Sequence, residues 1–296
     1  MERTGYMFAG QGAQFPGMGA ALAKASPAAS KVFELADAVL GYSISDLCFK
    51  ASIEELTPCA VCQPAIFTVS VACFKACLEA NPEALPAAAA GLSLGEYSAA
   101  VAANVLSLED GLRLIAERGR LMDKCCREYP GGMAAVLGAQ PEQVAEICRK
   151  CDIDVANYNC PGQIVISGCK EGLDKALELL AEAKLRAVPL AVAGAYHSRL
   201  MQPAAEEFAK ALDAAAFAAP ACPFYQNVTG RQSTGPDEIR ENMRRQVYSS
   251  VHWEQCARGL MSHSQRLVDC GPGNVLSTFM RRIDRAFPAA PAFAEI

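Results

Sequence analysis

Ser93 sits in Gly91-Leu92-Ser93-Leu94-Gly95, a G-x-S-x-G pattern preceded by small and apolar residues and followed by a helix-forming run from Glu96 to Ala103. That context fits a nucleophile elbow, in which a strand, a sharp turn and a helix present a serine hydroxyl at the end of a sheet. Glycines on either side lack a Cβ and let strand and helix crowd together. N–H groups at the start of the helix can hold a developing oxyanion. A serine hydroxyl is a weak nucleophile at neutral pH and needs a base within reach. The chain offers three histidines for this: His197, His252 and His263. His263 lies in a polar Ser-His-Ser-Gln stretch and is expected at the surface. His252 precedes Trp253 at a helix start, where it suits capping or packing. His197 follows a loop of small residues at a domain junction, where clefts form, and is the expected base.

Other chemistries fit less well. Gly10-Gln11-Gly12-Ala13-Gln14-Phe15 follows an apolar strand, but neither G-x-G-x-x-G nor a phosphate loop is completed. The loop instead suits the supply of N–H donors and the Gln11 amide to a site. Of the 14 cysteines, Cys59/Cys62 and Cys148/Cys151 form C-x-x-C pairs. The second pair ends a helical pattern rather than a glycine-rich knuckle, so reduced thiols are expected and no metal site. A net charge of -5 argues against a broad nucleic-acid surface. No run of membrane-span length and no signal peptide are read from the sequence, so a cytoplasmic location is the expectation.

The elements that must carry these residues form an α/β pattern. Gly5 to Ala9 suits a buried first strand, and Pro64 to Ala80 a long core helix with Phe67, Val71, Phe74 and Leu78 on one stripe. Ser107-Leu108-Glu109-Asp110 caps a helix running to about Cys125, on which one cation among Arg113, Arg118, Arg120 and Lys124 is placed to face the elbow. From Met133 to Leu190 the order is β-α-β-β-α-β, the ferredoxin-like pattern. The predicted organisation is therefore a hydrolase-like domain with a mostly parallel sheet, residues 1–131 and 192–296. A ferredoxin-like subdomain, residues 132–191, is inserted into it.

Six stretches together carry a family resemblance: Gly10-Gln11-Gly12-Ala13-Gln14, Gly91 to Ser98, Glu117 to Met122, Asn159 to Gln163, Gly194 to Ser198 and Gly271-Pro272-Gly273. In order and spacing the chain resembles the malonyl-CoA:acyl-carrier-protein transacylases of bacterial fatty acid synthesis, over essentially its whole length. The resemblance implies that Ser93 is acylated and His197 is its base. It implies that Arg118 grips the free malonyl carboxylate, that the N–H groups of Gln11 and Leu94 form the oxyanion hole, and that Gln63 lines the same pocket. It also implies acyl carrier protein and malonyl-CoA as partners, and a Ser–His dyad with no cofactor of its own; a monomer is expected. In relatives, a polar residue before the tryptophan helps orient the histidine. Here that place is held by His252, so orientation through a backbone carbonyl is expected instead. Tyr196 stands where phenylalanine is common in malonyl-selective relatives. Its ring would crowd an α-methyl branch, an effect worth only ~1–3 kcal/mol. The rival readings are an acyltransferase serving a polyketide synthase, a serine acyl hydrolase and a non-catalytic carrier-docking module.

Overall fold

The computed structural model describes residues 2–292. Strand β1 (Thr4–Phe8) is followed by α1 (Ala20–Ala25), α2 (Pro27–Leu40), α3 (Ile44–Lys50), α4 (Ile53–Leu56) and the long α5 (Cys59–Ala80). Strand β2 (Pro86–Gly91) leads through α6 (Gly95–Ala102) into α7 (Leu108–Glu128). Next come β3 (Gly131–Leu137), α8 (Pro141–Cys151), β4 (Asp154–Cys160), β5 (Gln163–Cys169), α9 (Lys170–Glu182) and β6 (Arg186–Pro189). The remainder is α10 (Gln202–Ala214), β7 (Phe224–Gln226), β8 (Arg231–Ser233), α11 (Pro236–Gln246), α12 (Trp253–His263), β9 (Arg266–Cys270), α13 (Val275–Ile283) and β10 (Ala289–Pro291).

Two sheets result. The larger has the order β10-β9-β1-β2-β7-β8 and is parallel except for the β7–β8 pair. β1 lies in its middle and is buried along its whole length, which is why Thr4 to Phe8 read as a nearly continuous apolar run. The smaller sheet has the order β4-β5-β3-β6 and is antiparallel throughout, with α8 and α9 as the crossovers of a ferredoxin-like unit. The two meet where Tyr158 N–H donates to Val251 O at 2.9 Å and Val251 N–H donates to Ala156 O at 2.8 Å.

Helix α5 is longer than its sequence suggests. Read from sequence, it begins at Pro64 and no run spans a membrane; the structure corrects both points. The helix starts at Cys59 because the Asp123 carboxylate, on α7, accepts from the N–H groups of Cys59 and Ala60 at 3.0 and 2.8 Å. A cap supplied from another helix leaves no local signature. At 22 residues α5 is long and apolar enough to cross a membrane, but it is a core helix here, buried at most of its positions. The short α3, capped by Ser43, is a further element that the sequence reading did not contain.

Candidate active site

The turn after β2 is built by exclusion of side chains. A Cβ on Gly91 would fall 1.9 Å from the Gly95 carbonyl carbon, and one on Gly95 would fall 2.2 Å from Phe8 O. Only glycine permits strand β2, helix α6 and strand β1 to approach this closely. Ser93, between them, has φ 53°, a left-handed conformation costly for a non-glycine residue. His197 is held in the same region at φ 56°. Its turn is tied by Ser198 Oγ donating to Ala195 O at 2.7 Å.

These two strained residues meet. Ser93 Oγ lies 2.7 Å from His197 Nε2. His197 Nδ1 lies 2.8 Å from the main-chain oxygen of Gln246, the last residue of α11. A carbonyl oxygen can only accept, so Nδ1 carries the proton and Nε2 is left free to take the serine proton. Burial, with the Arg118 charge adding to it, pushes the His197 pKa down to about 4, so the imidazole is neutral at ordinary pH.

Arg118 comes from the buried face of α7 and is 1% exposed. Gly119 beside it lets α7 and the start of α5 close to backbone contact, which brings Gln63 alongside. Arg118 Nη1 donates to Gln63 Oε1 at 2.7 Å; Nη2 donates to Gln246 Oε1 at 3.1 Å and to Ser93 Oγ at 3.2 Å. All three acceptors are neutral, and Nε has no hydrogen-bond partner among the described residues. Its neighbours on the helix differ: Arg113, Arg120 and Lys124 pair at the surface with Asp110, Glu117 and Glu207. A buried guanidinium hydrogen-bonded only to neutral groups has no ion-pair partner in contact, and a carboxylate is the complement its planar fork fits best.

A cavity of about 320 Å³ opens between the two sheets over Ser93, with Gln11, His197, Tyr196 and Met122 in its wall. Arg118, Gln63 and Leu94 lie behind that wall, and only the Nη2 of Arg118 reaches Ser93 Oγ. The Leu94 N–H immediately follows Ser93 at the start of α6. Neither it nor the Gln11 N–H is taken up by an acceptor among the described residues. The Tyr196 ring is fixed by its hydroxyl, which accepts from Cys59 Sγ at 3.0 Å. Burial pushes the Cys59 thiol up to about 11, so it stays protonated as the donor.

The chain is similar to known acyl transferases. The family model described as "Acyl transferase domain" matches residues 5–277. The malonyl CoA-acyl carrier protein transacylase of Bacillus subtilis (strain 168) is 38% identical over 292 residues, covering 96% of this chain and 92% of that protein. The chain belongs to the malonyl-CoA:acyl-carrier-protein transacylases, a family of acyl transferases. Among solved structures, the transacylase of Xanthomonas oryzae pv. oryzae is similar to this one at a TM-score of 0.93 and 39% identity, covering 98% of this chain and 94% of that one. A malonyl-transacylase in complex with its type II polyketide synthase acyl-carrier protein matches at 0.93 and 35% identity, over 98% and 95% of the two chains.

In this transacylase the sequence reading of His252 as a packing residue, with a backbone carbonyl orienting His197, matches the structure; that the carbonyl belongs to Gln246 was not foreseen. His252 stacks on Tyr158, with ring centroids 5.1 Å apart and planes 9° from parallel, and its N–H donates to Asn227 O at 2.9 Å. Gln246 holds the histidine, by its main chain, while its side chain bridges Arg118 and Ser93 O. The signal for it was present: α11 is a charged helix whose buried positions are Ile239, Asn242, Met243 and Gln246, two carboxamides on the apolar face. Asn227 and Glu96, both buried beneath the elbow, were also missed as site residues. Among the described residues no cluster of three His, Cys, Asp or Glu side chains is placed to hold a metal ion.

Proposed function

We infer that this chain transfers the malonyl group of malonyl-CoA to the phosphopantetheine thiol of an acyl carrier protein, through a malonyl-Ser93 ester. One observation carries the reading: Ser93 Oγ lies between a neutral imidazole nitrogen at 2.7 Å and a buried guanidinium at 3.2 Å whose other partners are neutral. A nucleophile beside a cation that no carboxylate contacts among the described residues suits a thioester with a negative charge a few bonds from its carbonyl. The relatives' names support the same substrate and partner. The carrier protein belongs to fatty acid synthesis or to a polyketide synthase.

In the first half-reaction the substrate carboxylate takes the guanidinium away from Ser93 Oγ and pairs with Arg118. Pairing cancels the charge that helps to depress the His197 pKa, so the base strengthens when the substrate is seated. His197 Nε2 accepts the Ser93 proton as Oγ attacks the thioester carbon. The N–H groups of Gln11 and Leu94 receive the oxyanion. The C–S bond breaks and CoA leaves as a thiol with the proton from His197. In the second half-reaction the phosphopantetheine thiol gives its proton to His197 and attacks the ester. The C–O bond breaks and Ser93 recovers its proton. Side chains and main-chain N–H groups of the chain supply every step, so the proposal calls on no cofactor. Tyr196, clamped by Cys59, narrows the space beside the acyl α-carbon.

Intact mass after mixing with malonyl-CoA tests this. Wild type gains one malonyl group, Ser93→Ala gains none, and added holo-carrier protein removes the group to itself. Release of free malonate in place of transfer would instead make the chain an acyl hydrolase.

A further inference from the structure

Behind the elbow, on the side away from the cavity, Asn227 holds both ends of the turn that carries the nucleophile. Its Oδ1 accepts the Ser93 N–H at 2.7 Å, and its Nδ2 donates to Gly91 O at 2.8 Å. Asn227 is in turn held by Glu96: its N–H donates to Glu96 Oε2 at 2.6 Å, while Gln226 Nε2 donates to Glu96 Oε1 at 3.2 Å. Glu96 is fully buried on α6; its main-chain N–H donates to Ser93 O at 3.0 Å, but its side chain bonds neither member of the dyad and does not line the cavity. Both of its oxygens act as acceptors, the arrangement of an ionised carboxylate.

We propose that Glu96 and Asn227 are positioning residues for acyl transfer: the Glu96 carboxylate fixes Asn227, Asn227 fixes the strained Ser93 turn, and protonation of Glu96 slackens the nucleophile. The proposal rests on the transfer reaction inferred above and adds a pH-sensitive support beneath it. A protonated carboxyl must turn one oxygen from acceptor to donor, and both oxygens already face N–H donors. Either the bond from the Asn227 N–H or the one from Gln226, the residue before it, is then lost, and the seat of Asn227 loosens.

Several groups act on Glu96 from the elements around it. Arg118 on α7 is the cation; Cys256 on α12 and Tyr97 on α6 itself are titratable. Gln226 and Asn227 at the end of β7, and Gln246 on α11, are neutral donors. Burial outweighs the hydrogen bonds and the Arg118 charge and pushes the Glu96 carboxyl up to about 7. His197 is pushed the opposite way, to about 4. The two groups therefore leave separate marks on a pH profile: loss of activity near neutrality belongs to Glu96, and loss in strong acid to the dyad.

The test is rapid-quench formation of malonyl-Ser93 at malonyl-CoA well below saturation, where the profile reports the free enzyme, across pH 5 to 9, for wild type and Glu96→Gln, with unfolding midpoints measured in parallel. Wild type is expected to acylate about tenfold more slowly at pH 6 than at pH 8. Glu96→Gln, which cannot ionise, is expected to be flat over that range and slow throughout, with KM for malonyl-CoA little changed. A Glu96→Gln enzyme that keeps the wild-type step, or a wild type that is flat from pH 6 to 8, overturns the proposal. Should Glu96→Gln not fold, infrared spectra of wild type decide: a protonated-carboxyl band of a buried acid must fade between pH 6 and 8, and its absence also overturns the proposal. Failure of the transfer reading itself looks different: either no acyl-serine forms at any pH, or it forms and decays to free malonate instead of passing to holo-carrier protein.

Discussion

Two polar clusters flank Ser93, and they differ in how completely they are satisfied. In front, Arg118 carries a full charge among neutral acceptors with no hydrogen-bond partner for Nε among the described residues, and Ser93 Oγ is shared between it and His197. Behind, Glu96, Gln226, Asn227 and Asn242 form a closed network: Asn242 Nδ2 donates to Gln226 Oε1 at 3.0 Å, and Gln226 passes the link to Glu96. Both clusters are buried, so burial alone does not separate them. The front keeps groups poised for a partner that arrives and leaves, whereas the back finds its partners within the chain. Buried polar groups left incomplete are costly, and they persist where a ligand completes them.

The contrast can be broken from either side. The largest effect is expected from His197→Ala, which removes the base and should lower malonyl transfer by on the order of 10⁴-fold or more while leaving the fold intact by circular dichroism. Next is Arg118→Ala. Loss of the charge pair with the substrate should cost malonyl transfer ~2–5 kcal/mol, roughly thirty- to several-thousand-fold. Acetyl-CoA, which has no carboxylate to pair, should lose far less. Equal losses with both substrates would show that Arg118 does not read the carboxylate. The smallest catalytic effect is expected at Asn242, the member of the back cluster that bonds Gln226 and Ser233 but neither Glu96 nor Asn227. Asn242→Ala should cost about 1–3 kcal/mol of stability in chemical denaturation, because it unpairs a buried acceptor. Turnover per folded molecule should stay within about twofold. A large loss of turnover without loss of stability would erase the distinction drawn here.

The parts that sequence made legible are those whose cause is local. Gly91 and Gly95 are needed by a turn that a five-residue pattern describes, and the alternation of strands and helices between Gly131 and Pro189 follows from hydrophobic period. The resemblance to known transacylases singled out Arg118 on a helix bearing several similar cations. What sequence did not disclose depends on elements far apart in the chain. Asp123 caps a helix 63 residues before it, Gln246 reaches His197 across 49 residues of chain, and His252 stacks on a tyrosine of the smaller sheet. Each is a contact between distant segments with no signature in either one. The exception is Gln246, because an apolar helix face interrupted by two carboxamides is readable in advance and asks what those amides hold.

The chamber over Ser93 has a consequence for traffic. It opens over a single nucleophile, so in the proposed transfer both thioesters are broken or made at one atom. Donor and acceptor must therefore take turns at one berth. An excess of either should obstruct the other, so that the carrier's free thiol slows loading and coenzyme A slows unloading. The acyl-serine is then the only form in which the cargo waits while the vehicles are exchanged.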